Sequence, residues 1–359
     1  MVSVLPDQGK DMYRASAPGP CDDSLQAFEA GQYSGRGDSN MKRAWLKKLG
    51  AFVVMAWCFL RFTSSVNASK DNLPRVPGGA LLVAHFSDDL AVTIGENTTH
   101  IEGGGEWEVI PSISADGRFV ASAVMVPSRA LDVSPTFVVG TYDSAADRWT
   151  YYRDLEIKGG SIAISADGSK VACGEMANGR PLLHILDLKT GKLVVGPEVA
   201  EHQGFLTWSP DGRRIAFVRD LDGADGTPSS LLPEIDVFDV EDGRVAKIAE
   251  GTAPSWSPSG EWIAFSDYSV FQHGKYADTA FRLSLIHPDG TGLVQLLKQS
   301  KDLYVPAVWS PDSKQLMLQR PQEDEVNPKV NIDVLDVATL KLTARFKKTP
   351  QVYGWAAAR

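Results

Sequence analysis

The stretch YSVFQHGKYADTA, from Tyr268 to Ala280, concentrates side chains that commonly bind other molecules. Three aromatic residues and a histidine, Tyr268, Phe271, His273 and Tyr276, stand within nine positions. Aromatic and cationic side chains together suit contact with a protein or a carbohydrate. The stretch has the composition of a long, irregular loop, which predicts a binding site; the alternative is a loop whose aromatic residues fold back onto their own domain.

Metal and catalytic sites receive little support. DLDGADGT brings Asp220, Asp222 and Asp225 close together, and alternate carboxylates are potential Ca²⁺ ligands. Ala224 occupies the third ligand position of the EF-hand order, which favours a solvated turn. GGSIA, the nearest match to a nucleophile elbow, places Ser161 at its centre but lacks the final glycine. The sequence therefore predicts no catalytic residue, no metal site and no cofactor.

The elements that position such residues repeat along the chain. The stretch FLTWSPDGRRIAFVRD recurs in the same register four more times, each copy with a large apolar residue before a Ser-containing turn. These anchor residues are Ile113, Ile164, Trp208, Trp256 and Trp309, with gaps of 51, 44, 48 and 53 residues. A near-constant period of this size is typical of a repeat architecture.

Each repeat contains four strand patterns. Ser, Pro, Asp and Gly suit successive positions of a type I turn, so SPDG predicts a tight hairpin between the first two strands. A second pair follows in most copies, for example EIDVFDV, the turn EDG and RVAKIA. Four strands at this period predict an all-β propeller blade. The residue before each anchor is mostly small, which predicts that neighbouring blades interlock near the axis.

The repeats resemble the TolB-type, WD-like propeller repeat, in which an S-P-D-G turn precedes an I-A-F strand. Asp187, Asp239 and Asp336 match the acidic residue that ends the third strand of such repeats. The resemblance covers roughly residues 79–359. It implies the fold and no particular activity, because many unrelated functions share this repeat.

The two ends of the repeat region complement each other. GGALLVAHF, DDLAVTI and TTHIEGG have the patterns of second, third and fourth strands with no first strand, whereas QVYGWAAAR has the pattern of a first strand alone. Sharing a blade between the termini leaves no open sheet edge. We therefore expect a six-bladed β-propeller of four-stranded antiparallel blades, with one blade shared between the N- and C-terminal segments.

The topology separates two rims of this ring. The first-to-second and third-to-fourth turns are short and uniform and lie on one rim, here called the short-turn rim. The second-to-third and fourth-to-first connections are longer and irregular and lie on the other, the variable rim. Variable loops on a rigid scaffold usually carry binding residues. The binding residues expected on the variable rim are Arg129, His202, Tyr268, Phe271, His273, Tyr276 and Tyr304.

The N-terminal part has a different character. Residues 1–40 are rich in Gly, Ser, Asp and Pro and predict a disordered or mis-assigned upstream extension. Residues 41–68 combine a basic section, the apolar run Leu49–Leu60 and small residues at a cleavage site, the layout of a secretory signal. We expect cleavage after Ala68 and a periplasmic or secreted propeller over residues 69–359; an uncleaved anchor is the alternative.

Composition limits the function classes. The formal net charge of -9 disfavours nucleic acid as a partner. Cys173, the one cysteine after residue 68, and His184 lie in apolar strand patterns and are expected in the core. We expect a monomeric, non-enzymatic binding module for a protein or saccharide, without stable membrane insertion after cleavage. The alternative is a metal-dependent enzyme similar to the propeller lyases of pectin fragments, which use a histidine cluster.

Overall fold

The computed structural model describes the repeat region with breaks, and the described residues are 79–85, 89–94, 97–102, 108–126, 136–157, 162–177, 180–200, 205–219, 233–273, 276–297, 308–321, 330–349 and 351–357. The expected upstream extension, residues 1–40, and the expected signal, residues 41–68, lie outside them. Among the described residues there is no helix with the length and apolarity that crossing a membrane requires.

The described part of the chain contains 24 strands. In chain order they are β1 (Gly79–His85), β2 (Asp89–Ile94), β3 (Asn97–Glu102), β4 (Glu108–Ile113), β5 (Phe119–Val126), β6 (Thr136–Asp143), β7 (Arg148–Ile157), β8 (Ile162–Ile164), β9 (Lys170–Ala177), β10 (Arg180–Asp187), β11 (Leu193–Glu198), β12 (Leu206–Trp208), β13 (Arg214–Arg219), β14 (Glu234–Asp239), β15 (Val245–Glu250), β16 (Thr252–Trp256), β17 (Ile263–His273), β18 (Tyr276–Ile286), β19 (Val294–Gln295), β20 (Val308–Trp309), β21 (Gln315–Pro321), β22 (Val330–Asp336), β23 (Lys341–Thr349) and β24 (Gln351–Ala357).

These strands form four-stranded antiparallel sheets. Blades I to V are β4–β7, β8–β11, β12–β15, β16–β19 and β20–β23, and a further sheet, here called the composite sheet, has the order β24-β1-β2-β3. The prediction of six blades was wrong, because the structure has five blades that are each built from four consecutive strands. Only five blades consist of consecutive strands, because the last strand of the chain joins the first three to make the remaining sheet.

The hydrophobic core lies between the sheets. One cluster joins Val139 of blade I to Ile164 and Cys173 of blade II, and equivalent clusters occupy the other seams. Successive side chains along each strand point to opposite faces of the sheet. Each sheet therefore contributes one face to each of the two seams beside it. The innermost strands of neighbouring sheets contact one another around the whole ring.

Polar contacts near the axis support the expected interlocking of the blades. The Ser112 hydroxyl accepts a hydrogen bond from the backbone N–H of Ile164, at 3.1 Å. Thr207 accepts one from the N–H of Trp256, at 3.2 Å. The indole of Trp208 donates to the carbonyl of Ala163, at 3.1 Å. A small residue before each anchor thus lets the next blade approach closely enough for direct hydrogen bonds.

The hairpin turns of the short-turn rim have the expected chemistry. In blade III the Ser209 hydroxyl donates to Asp211 Oδ1 and accepts from the N–H of Arg214, and Gly212 has φ 65°. Equivalent Ser–Asp pairs occur at 114/116, 165/167 and 310/312. In blade V, Ser313 takes the glycine position with φ 60°.

The last strand closes the composite sheet, as expected from the sequence. β24 pairs with β1 from Gly79↔Ala357 to Ala84↔Gln351. The buried Gln319 amide of blade V donates to the carbonyl of Val352 at 2.6 Å and accepts from its N–H at 2.8 Å. This side chain hydrogen-bonds β24 to blade V in the same way that a neighbouring strand would.

We expect Gln319→Met to lower the free energy of unfolding by about 3 kcal/mol. The substitution keeps the volume but leaves a buried N–H and a buried carbonyl of β24 unpaired, at about 1–3 kcal/mol each. Gln315→Met, on the same strand but half-buried, is the control and should cost less than 1 kcal/mol. Denaturant unfolding of both variants measures the difference; equal stabilities would contradict a closing role for this contact.

A single glycine connects blades III and IV. β15 ends at Glu250 and β16 begins at Thr252, so Gly251 alone joins the outermost strand of one blade to the innermost strand of the next. Its φ is 154°, and a Cβ there would lie 2.7 Å from the backbone oxygen of Ser266 and 2.8 Å from the ring of Phe265.

Gly251→Ala should therefore destabilise the protein by more than about 2 kcal/mol. A loss of this size is expected when one substitution causes both backbone strain and a steric clash. Gly243→Ala is the matched control, because Gly243 also has a positive φ, 74°, but has no atom within 4 Å of the added Cβ. It should cost about 1 kcal/mol. Thermal melts of the two variants that coincide would show that the close approach at Gly251 is unimportant.

Candidate functional site

The stretch expected to be a loop on the variable rim is a β-hairpin. β17 and β18 each contain 11 residues and pair without interruption from Ile263↔Ile286 to His273↔Tyr276, with two residues between them. The prediction of an irregular loop over 268–280 was therefore wrong. The period-two pattern of this stretch is weak because polar and apolar residues occur on both faces, as on a ribbon that leaves the core.

The hairpin is longer than the corresponding strand pairs of the other blades. The second and third strands of blades I, II, III and V have 6 to 8 residues. At about 3.3 Å per residue, three to five extra residues extend the sheet by about 10–17 Å. The second strand of each blade runs toward the variable rim, so this extension, here called the arm (268–280), projects from that rim.

Four of the seven expected binding residues belong to the arm. Tyr268 pairs with Phe281, Phe271 with Asp278, and His273 with Tyr276. The arm thus brings Tyr268, Phe271, His273 and Tyr276 onto one structural element. The other three, Arg129, His202 and Tyr304, lie outside the described residues.

The base of the arm is held by an ion pair and by apolar packing. Arg282 donates to Asp267 Oδ1 at 2.6 Å, and the two residues are direct cross-strand partners. Phe281, the next residue along β18, is buried. A base that combines cross-strand pairing, an ion pair and a buried ring restricts the angle at which the arm leaves the blade.

Blade III carries a network of charged side chains at the position that Asp267 and Arg282 occupy in blade IV. Arg219 lies 2.7 Å from Asp236 Oδ2 and 3.4 Å from Glu234, and Lys247 lies 2.6 Å from Glu234. Asp236 is fully buried. Burial raises the pKa of the Asp236 carboxyl, against the opposing effect of the Arg219 charge.

Blades II and V have pairs at the same repeat positions. In blade V, Asp333 accepts from Arg345 Nε at 2.6 Å and lies 2.9 Å from Arg320. In blade II, Glu175 lies 2.5 Å from His184 Nδ1. His184 is buried, as expected from the sequence.

Sequence reasoning missed these pairs, although a signal for them exists. The residues 11 positions after the anchors of blades II to V are Glu175, Arg219, Asp267 and Arg320. Their signs alternate, and in blades III to V their partners on the third strands have the opposite sign, whereas in blade II the partner is His184. Charge complementarity between fixed repeat positions would have revealed a polar layer beneath the variable rim.

The other candidate sites gain no support. Asp220, Asp222, Asp225 and Ser161 lie outside the described residues. Within the described ranges, no three His, Cys, Asp or Glu side chains are grouped closely enough to hold a metal ion. Cys173 is buried, and burial raises the pKa of its thiol to about 12, so that it stays protonated at neutral pH.

Comparison with solved structures identifies the architecture. TolB from Acinetobacter baumannii matches with a TM-score of 0.56 at 14% identity, over 79% of this chain and 68% of that chain. The chain has a TolB-like β-propeller fold. A nidogen/laminin complex matches with a TM-score of 0.52 at 13% identity, over 79% of this chain and 99% of that chain.

Other comparisons agree with a widely shared fold. Hydrazine synthase from Kuenenia stuttgartiensis matches with a TM-score of 0.50 at 14% identity, over 81% of this chain and 92% of that chain. No protein-family model and no curated protein sequence matches the chain. The sequence-based resemblance to the TolB-type repeat is thus confirmed for this TolB-like propeller at the level of the fold.

The buried pair in blade V should be important for stability. We expect Asp333→Ala to destabilise the protein by about 3 kcal/mol, because it leaves Arg320 and Arg345 without the buried carboxylate that both contact. Glu198→Ala is the control, because that carboxylate is exposed and lies 3.6 Å from its partner Arg180; it should cost no more than about 1 kcal/mol. A double-mutant cycle with Arg320→Met that finds no coupling would contradict the role assigned to the pair.

Proposed function

We propose that the chain is an exported, non-enzymatic binding module that holds a protein partner on its variable rim, with the arm as the principal contact. The observation that carries this proposal is the length of the β17–β18 hairpin. Strand pairs of 6 to 8 residues are sufficient to form the other blades, so blade IV does not need the extra residues to complete its sheet. Its extra residues are therefore explained better by an external contact than by stability.

The residue types of the arm support a protein partner. Tyr268, Phe271 and Tyr276 are aromatic. Aromatic residues are enriched among the interface residues that contribute most of the binding free energy. The paired backbone of the arm lowers the entropy that is lost on binding, compared with a free loop of the same length.

The surrounding structure supports the same proposal. The ion pair between Asp267 and Arg282 holds the base of the arm on a blade whose inner strands pack in the ring core. A similar fold occurs in a nidogen/laminin complex, which is an assembly of two proteins. Export is proposed from the signal-like sequence of residues 41–68, with the propeller in the periplasm or outside the cell.

The double substitution Tyr268→Ala with His273→Ala should weaken partner binding at least tenfold, which corresponds to about 1.4 kcal/mol, and leave the melting temperature nearly unchanged. The control changes the opposite rim: Asp211→Ala with Gly212→Ala removes a turn carboxylate and a residue at φ 65°. This variant should lower the melting temperature but bind normally while folded.

The measurement has two steps. Immobilised wild-type protein and both variants are exposed to the same envelope extract of the host, and proteins that depend on the arm are identified. The purified partner is then titrated against each variant. Normal binding by the arm variant together with loss of binding by the folded turn variant would place the site on the short-turn rim instead.

A further inference from the structure

One edge of the arm has no neighbouring strand among those that the structure describes. On its inner side, β17 pairs with β16 only as far as Thr252↔Ser266, although β17 itself continues to His273. On its other side, β17 pairs with β18 along its whole length. Residues 268–272, here called the inner edge of the arm, therefore offer their backbone to a further strand.

The connection that precedes β16 turns the chain away from this edge. Gly251 alone joins β15 to β16, and its N–H donates to the carbonyl of Pro233, beside β14, at 2.8 Å. The chain on the N-terminal side of Thr252 therefore belongs to blade III and does not continue along the arm. In blade III, by contrast, the connection from blade II does cover the second strand, because the N–H of Ala200 donates to the carbonyl of Val218 at 2.9 Å.

Three residues direct their backbone groups along the inner edge. The carbonyl oxygen of Ser266 faces the β16 side of β17, where a Cβ added to Gly251 would lie 2.7 Å from it. Every second residue of a strand in an antiparallel sheet directs its N–H and C=O to the same side. Tyr268, Val270 and Gln272 therefore face this side, whereas the residues between them face β18.

The inner edge lacks the features that usually protect a sheet edge, such as bulges, charges and proline. The outermost strands of blades I, II, III and V all have a register shift in their pairing. They also contain charged residues or proline, among them Arg148, Pro197, Lys247 and Arg345. The pairing of β17 with β18 has no register shift, and residues 268–272 contain no charge, proline or glycine. Such an edge is typical of a strand that pairs with another chain.

The arm also gains stability from a further strand. Beyond Ser266 and Arg282 its described part consists of two strands. An isolated two-stranded hairpin is only marginally stable in water, whereas sheets of three or more strands are stable more readily. Tyr, Val and Phe in residues 268–272 are residue types that favour strands. The residue types of the inner edge therefore suit a strand inside a larger sheet.

The inner edge is complementary to itself. Tyr268, Val270 and Gln272 are spaced evenly, so an antiparallel copy of the edge pairs with Val270 opposite Val270 and Tyr268 opposite Gln272. In this register every N–H and C=O of the three residues has a partner on the other copy. Asp267 then stands opposite His273 of the second copy, and no residues of like charge are opposite each other. A two-fold contact of this self-complementary type is the commonest in homo-oligomers.

We propose that two copies of the chain form a dimer by antiparallel pairing of their inner edges, with Val270 of each copy at the two-fold axis. The two arms then make one sheet with the strand order β18-β17-β17-β18. This dimer departs from the monomer expected from the sequence. It goes beyond the partner proposed above, because it uses the backbone at the edge of the arm, whereas side chains stand above and below a sheet.

Charge substitutions at Val270 test this register, because residue 270 meets itself only in the proposed dimer. We expect light scattering to give the wild-type full chain twice the mass of one chain at micromolar concentration. Val270→Lys and Val270→Glu should each weaken dimerisation at least about tenfold, since like charges then stand opposite each other. An equimolar mixture of the two variants should restore the doubled mass, because Lys and Glu are then opposite.

Thr279→Lys and Thr279→Glu are the matched controls. Thr279 is the cross-strand partner of Val270, so it lies at the same position along the arm but one strand away from the inner edge. Both control variants should stay dimeric. A wild-type protein with the mass of one chain would overturn the proposal. Variants of Val270 that remain dimeric alone, or that remain monomeric when mixed, would overturn it as well.

Amide hydrogen exchange of the wild-type protein tests the same contact without a substitution. The N–H groups of Tyr268, Val270 and Gln272 should exchange at least about tenfold faster after dilution from dimer to monomer. Those of Ser269 and Phe271 should change much less, because they face β18. Exchange at Val270 that does not depend on concentration would contradict the pairing. Neither experiment contains a protein partner, so failure of the dimer would leave partner binding to the titrations described above.

Discussion

The pairing of β24 with β1 is the constraint on which the rest of the structure depends. Without it, the composite sheet has an unpaired β1 and blade V loses the strand that Gln319 contacts. Open sheet edges expose rows of backbone donors and acceptors that promote aggregation. The seams between sheets also depend on closure, because each sheet packs on two neighbours.

Closure explains why the two rims can differ. The short turns need Ser–Asp hydrogen bonds and residues with positive φ, and these leave little freedom for other side chains. The variable rim is under no such restriction, and there the chain adds the arm and the charged pairs beneath it. Those pairs are partly or fully buried, so they stabilise the ends of the middle strands only while both partners are present.

Much of the architecture could be predicted from the sequence. The hairpin turns, the four strands of a repeat and the complementary ends follow from local turn chemistry and from a period of about 50 residues. Recognising β24 required only that QVYGWAAA has the pattern of a first strand without its successors.

The site was harder to predict than the fold. Tyr268 and its neighbours were selected for their residue types, but their arrangement was predicted wrongly as a loop. Cross-strand pairing of polar residues beyond the core has no strong period, and the pairing partner sets the structure. The pairing of Asp236 with Arg219 was missed because it depends on burial, which no local pattern reports.

Amide hydrogen exchange of residues 351–357 in the intact protein tests the closed ring most directly. If β24 is an integral strand of the composite sheet, its amides exchange only when the whole propeller unfolds, with the same opening free energy as the amides of β13. Exchange of β24 at a much lower opening free energy, while β13 stays protected, would show that the last strand is a detachable tail and would contradict closure of the ring.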